Sequence, residues 1–254
     1  MKLFNLRAIS FGRPLIFLFT LCCFACAASA QRLFSVSVES KTVHKGKMTI
    51  VNKDIYYRKD GNLNIRYTTS ASQQYYSTTS PFGFTSIYHP ATKEASSLNP
   101  EFFKAEDELL FLFASGSGED LGMARFGFVL KSTSKDGKFI VKRYEPKVKG
   151  GKCAWVELVL DENYLPVYCA YHDKKDKIIT KTYLSNYTSA KDFVFPLRVT
   201  EISYLFEKND STVRLDLYRD LLVDTPDEMF NFHIPSEAKI VDLKEKDKSF
   251  SKQR

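Results

Sequence analysis

Runs of β-branched and aromatic residues recur along this chain between short polar clusters, the pattern of antiparallel strands joined by turns. The sharpest punctuation is Asp60-Gly61 and Asp136-Gly137, because Asp-Gly supplies the positive φ angles of a tight hairpin turn. The first predicts that residues 54–58 pair with 63–69, and the second that 123–131 pair with 139–144. Polar clusters at 161–163, 173–177 and 207–210 delimit further strands over 152–160, 165–172, 178–187 and 197–206, with a last long strand over 212–223.

Alternation within these runs predicts a sheet with one apolar and one wet face, since successive strand side chains point to opposite sides. Val213, Leu215 and Leu217 share one side while Arg214 and Asp216 take the other. Phe126, Phe128 and Leu130 oppose Arg125 and Lys131, and Val156, Leu158 and Leu160 oppose Glu157. These nine apolar positions are the candidate lining of a binding face. An apolar sheet face must be covered, yet helical signals are few. Asn99-Pro100-Glu101 is a helix start, with an apolar stripe of Phe102, Phe103, Leu109, Leu110 and Phe113 ended by residues 115–118. Thr225-Pro226-Asp227-Glu228 opens a much shorter one. One substantial helix does not seal ten or more strands. The options are closure of the sheet on itself, a second layer, or a cavity left open to a ligand.

The first 30 residues change the charge and the compartment. Lys2, Arg7 and Arg13 precede or flank an apolar run from Leu15 to Ala28 that ends in Ala28-Ser29-Ala30, the form of a cleaved export signal. The run is shorter than the roughly 20 residues of a membrane-spanning helix. Cys26 is an alternative lipidation site, but Cys23-Phe24-Ala25 matches that signal poorly. Removal of residues 1–30, which hold three basic residues and no acid, lowers the formal charge from +7 to +4 and leaves a domain of residues 31–254 with a charged, fraying tail at 244–254. With the two signs interleaved, nucleic-acid binding is disfavoured.

Removal of the signal also leaves only Cys153 and Cys169, which flank the hairpin expected over 152–172. An oxidising compartment allows a disulfide between them, and two separate buried thiols are the alternative. The four histidines, His44, His89, His172 and His233, are widely spaced with no metal-ligand pattern. There is no nucleophile elbow, phosphate loop or dinucleotide fingerprint, so nothing points to a catalytic residue, metal or cofactor.

Three segments carry a resemblance. The first is Gly46 to Arg58 followed by Leu63 to Tyr67, a strand after a glycine and then one with aromatic and basic residues. The second is Tyr88-His89-Pro90 with the strand after it, and the third Met229 to Asp242, with its Phe230, Phe232 and Pro235. In order and approximate spacing these resemble the outer-membrane lipoprotein carrier (LolA-like) family. The resemblance departs at Asn52-Lys53-Asp54, where the family has an arginine-proline pair, so a gating contact from that arginine is not carried over. It departs again at residues 33–38, which read as a strand where the family has an amphipathic helix. What the resemblance implies is a mainly β fold: an unclosed antiparallel β-barrel with helices at its mouth, holding acyl chains in an apolar cavity. The implied function is that of a monomeric periplasmic carrier without catalysis, with lipoprotein acyl chains or another lipid as ligand and membrane proteins as donor and acceptor. The alternative is an envelope structural or sensory module that acts through protein contacts with its interior filled.

Overall fold

A computed structural model describes residues 32–69, 73–98, 105, 108–205 and 210–241. The expected export signal, the 244–254 tail, and the Asn99-Pro100-Glu101 helix start with Phe102 and Phe103 lie outside the described residues. Among the described residues fourteen strands form one sheet: β1 (Leu33–His44), β2 (Lys47–Arg58), β3 (Leu63–Thr68), β4 (Gln74–Thr79), β5 (Thr85–His89), β6 (Glu94–Leu98), β7 (Phe128–Asp136), β8 (Phe139–Pro146), β9 (Trp155–Leu160), β10 (Pro166–His172), β11 (Ile178–Ala190), β12 (Phe193–Leu205), β13 (Asp210–Val223) and β14 (Lys239–Ile240). Their order is β14-β6-β5-β4-β3-β2-β1-β13-β12-β11-β10-β9-β8-β7. All neighbours are antiparallel except β14, which runs parallel to β6. The two edges, β14 and β7, do not pair, so the sheet is the expected unclosed barrel.

Both Asp-Gly turns form. Gly61 and Gly137 take φ of 101° and 56°, the left-handed region that a side chain would strain. Tyr57 then pairs with Leu63, and Asp136 with Phe139. The second hairpin nevertheless differs from the reading at 123–131. Its first strand begins at Phe128 and runs on to the turn, while residues 118–127 are coiled in turns closed by bonds such as Phe128 N to Met123 O at 2.9 Å. Met123 is fully buried there, so its apolar character reflects a folded-under turn and not a strand face. The strand expected from 152 likewise starts only at Trp155.

The inner face is the one that carries the helix α1 (Leu109–Ala114). A six-residue helix is far below the length that is stable alone. It persists because it is apolar on nearly every side: Leu110, Phe111 and Leu112 are buried against β1, β2 and β12. The Phe111 ring meets Tyr57 edge-on at 5.2 Å, and Phe113 meets Phe195 at 5.4 Å. Each such buried side chain stabilises by about 1.5–3 kcal/mol. Ser117 N bonds back to Leu112 O at 2.8 Å, so residues 115–118 end the helix as expected.

A second, smaller apolar cluster lies on the outer face. Tyr56, Met229 and Phe230 pack there with Leu33, Tyr76 and Phe232. Asn64 Nδ2 donates to Met229 O at 2.8 Å and pins the 3-10 turn Glu228–Asn231 to the sheet. The cap of that turn is Asp227, which accepts from Met229 N, and not Thr225 as the capping-box reading implies. β14 then covers the edge of β6.

Candidate functional site

β1 to β5 and β10 to β13 turn one set of alternate side chains toward α1 and the turns after it. Between them lies a cavity of about 460 Å³. Its apolar wall is Leu63 and Ile65 from β3, Leu184 from β11, Val199 from β12, and Leu109 and Leu112 from α1. Those side chains are inward because Tyr57 faces Leu63 and Ile55 faces Ile65 across the β2–β3 ladder, and directly opposed residues share a face.

The remaining wall is polar and largely self-paired. Lys53 Nζ reaches both carboxylate oxygens of Glu108 at 2.7 Å, with only 17% and 14% of the two side chains exposed. Glu108 immediately precedes α1, so this ion pair ties the cover to β2. Arg214 lies 3.2 Å from Glu201 and 3.3 Å from Asp216, and Asp216 accepts from Ser40 Oγ at 2.6 Å. Burial opposes the charge of Arg214, but the two carboxylates outweigh it and hold its pKa above the ordinary value. Tyr67, Tyr171 and Tyr218 also line the cavity, and burial raises the phenol pKa of each, so all three stay protonated donors at neutral pH. The arrangement offers an amphipathic pocket, with aliphatic groups on one side and a fixed set of donors and acceptors on the other. Its volume is within the roughly 300–1,000 Å³ of small-molecule sites. Among the described residues no cluster of metal-ligating side chains occurs.

Of the nine residues expected on the binding face, Phe126 lines the cavity, half exposed. Val156, Leu158 and Leu160 face inward but are fully buried in the packed core under β8 to β10. Phe128 packs against that core beside Tyr171, and Leu130 is exposed on the edge strand. The faces of β13 are the reverse of the reading. Arg214, Asp216 and Tyr218 line the cavity, while Val213, Leu215 and Leu217 lie half-buried on the outer side. Cys153 and Cys169 are free thiols, so the disulfide is not formed. The register pairs Cys169 with Leu158, whereas Cys153 precedes β9 and donates to Trp155 O at 3.4 Å. Burial pushes the Cys169 thiol pKa up to about 12. The site residues that the sequence reading does not single out, Lys53, Glu108 and Glu201, are charged, as is Arg214, which alternation along β13 assigns to the wet face.

This geometry, an unclosed antiparallel barrel with a helix over a hollow inner face, defines the LolA-like fold class. Solved structures agree. The chain matches a LolA superfamily protein from Nitrosomonas europaea with a TM-score of 0.52 and 14% identity, over 79% of this chain and 90% of that one. It matches a DUF1329 family protein from Desulfovibrio piger at 0.53 and 14% identity, over 85% and 97% of the two chains. A putative outer membrane lipoprotein-sorting protein domain from Vibrio parahaemolyticus gives 0.50 and 13%, over 78% and 89%. No family model matches the sequence, and no curated protein matches it significantly. At such identities the likeness is one of fold.

Proposed function

We propose that this chain is a periplasmic carrier that holds the acyl chain of a lipoprotein or another lipid in the inner cavity and moves it toward the outer membrane. The observation that carries this reading is the cavity itself, with Leu63, Ile65, Leu184 and Val199 on the sheet beneath a cover of a single helical turn and a half that adds Leu109 and Leu112. Burial of methylenes is the driving term, at about 0.8 kcal/mol each, so a chain of a dozen carbons supplies roughly 10 kcal/mol before the costs of association. Transfer needs no covalent chemistry. An inner-membrane donor and an outer-membrane acceptor are its expected partners, and the monomer is its working unit. The test is native mass spectrometry of protein purified from its own envelope, joined to uptake of a fluorescent fatty-acyl probe. A protein that carries no lipid and takes up no probe refutes the carrier.

A second reading is favoured by the ion pairs in the cavity wall. Lys53 with Glu108 and Arg214 with Glu201 and Asp216 satisfy one another without a ligand. On that reading the hollow is hydrated and the protein is an envelope structural or sensory module that acts through protein contacts. Such a module takes up no acyl probe and leaves the envelope bound to protein rather than to lipid.

A further inference from the structure

One stretch departs from the interleaving of the two signs along the rest of the chain. Residues 131–152, which span most of β7, all of β8 and the loop after it, hold eight basic residues and two acids, a net +6. The rest of residues 31–254 sums to −2. β7 is a sheet edge, and eight of its nine residues, Val129 to Asp136, are exposed. Lys131, Lys135 and Lys138 follow its length and turn, and Lys147, Lys149 and Lys152 fill the loop after β8. Among the described residues no carboxylate lies within ion-pair distance of any of these six lysines; Glu145 is 3.8 Å from Arg143 instead. Apolar side chains stand exposed among them: Val148, between Lys147 and Lys149, is 83% exposed, and Val129 and Leu130 are 38% and 47% exposed.

We propose that the β7–β8 hairpin and the 147–152 loop form a docking surface for an anionic lipid bilayer. The lysines follow β7, its turn and the loop after β8, along a hairpin roughly 26 Å long at about 3.3 Å per residue, not gathered in a groove. That distribution fits a broad plane of negative charge better than a single acidic peptide. Val148 between two lysines gives the combination that holds peripheral segments at a headgroup boundary, apolar contact together with attraction to anionic lipid. The surface also adjoins the cavity. Lys147 N bonds to Gly127 O at 2.8 Å, which holds the basic loop one residue from Phe126 on the cavity wall. With the remainder of the protein slightly negative, a charged membrane orients the molecule with this edge, and so this side of the cavity, toward the bilayer.

The test is co-sedimentation at low salt with vesicles of phosphatidylcholine alone and with phosphatidylglycerol mixed in. Binding is expected only to the mixed vesicles and falls with added salt. The Lys147→Ser, Lys149→Ser, Lys152→Ser triple variant should bind about a hundredfold more weakly, at about fivefold per lysine. The charge-matched triple Lys47→Ser, Lys59→Ser, Lys239→Ser keeps the binding, because those exposed lysines lie elsewhere on the sheet. Unchanged melting curves show that both variants are folded. Equal binding to neutral vesicles, no binding to the mixed ones, or equal loss in the two triples overturns the proposal. So does a soluble poly-glutamate that binds as tightly as the vesicles, which identifies an acidic protein as the partner. No acyl ligand enters the assay, so a failure here leaves the carrier reading standing.

Discussion

Replacing Lys53 by methionine removes one side of the ion pair that ties α1 to β2. The stem is kept and the ammonium is lost, so the carboxylate of Glu108, only 14% exposed, loses its ion-pair partner and keeps only the through-space attraction of Arg214. Exposed pairs are worth about 0.2–1 kcal/mol, while breaking a fully buried one costs about 3–5 kcal/mol. With the partners 17% and 14% exposed, the pair belongs between these limits. We expect a loss of about 2 kcal/mol, or roughly 4–8 °C in Tm for a domain of this size. The double variant Lys53→Met, Glu108→Met should recover most of it, because two apolar side chains leave no buried charge behind. Urea unfolding of the wild type, both single variants and the double variant gives the coupling directly. A Lys53→Met variant within about 0.5 kcal/mol of wild type, or a double variant no better than the worse single one, shows that the pair does not hold the cover.

Leu184→Asn, on the cavity wall, should reduce acyl-probe uptake, whereas Leu217→Asn, half-buried on the outer side, should leave uptake intact and cost about 1 kcal/mol. Leu158→Ala lies in fully packed core and should cost about 2–5 kcal/mol in chemical unfolding. Alkylation followed by peptide mapping should label Cys153 before Cys169, whose thiol is buried with its pKa raised to about 12, and a peptide linked through both cysteines refutes the free-thiol state. Hydrogen bonds from Arg32 at 2.7 and 2.8 Å hold the Asp192 pKa below the ordinary value near 4. A lowered folded pKa gives stability that is present above the unfolded value and lost as pH falls through the folded one. Asp192→Asn should therefore flatten the decline of Tm below about pH 4; an unchanged slope refutes this.

The strand order was legible wherever a turn has local chemistry. Asp60-Gly61, Asp136-Gly137 and the clusters at 161–163 and 173–177 mark hairpins that the structure contains, since a turn of two or three residues fixes register without help from distant residues. Less legible was what packs by tertiary contact alone. The alternation of Phe126, Phe128 and Leu130 with Arg125 and Lys131 reads as a strand over 123–131, and only the packing of Met123 under the helix and the bonds from Phe126 N to Gly122 O and Phe128 N to Met123 O make residues 123–127 a turn. The pairing of β1 with β13, between residues some 180 positions apart, has no local signal.

The reversal of β13 has a single physical cause. Alternation separates two faces but does not say which is inner; that step assumes that the apolar side faces the core. Here the inner side borders a polar cavity, where Arg214 is answered by Glu201 from β12 and Asp216 by Ser40 from β1. Apart from the Arg214–Asp216 contact at 3.3 Å, those partners come from other strands, so most of the compensation is invisible in the run 212–223 itself. On the outer side Leu215 lies opposite Lys41 and Leu217 opposite Glu39 and Arg198, whose aliphatic stems can shield a leucine from water while their charges stay wet. A strand whose polar residues are paired across a hollow and whose leucines are sheltered by charged neighbours therefore presents the alternation of an ordinary amphipathic strand with the sign exchanged. The same exchange is why the cavity-facing wall is legible only in cross-strand register, and why Tyr218, at the i+2 position from Asp216 and i+4 from Arg214, is the one aromatic cue to the inner face in that sequence.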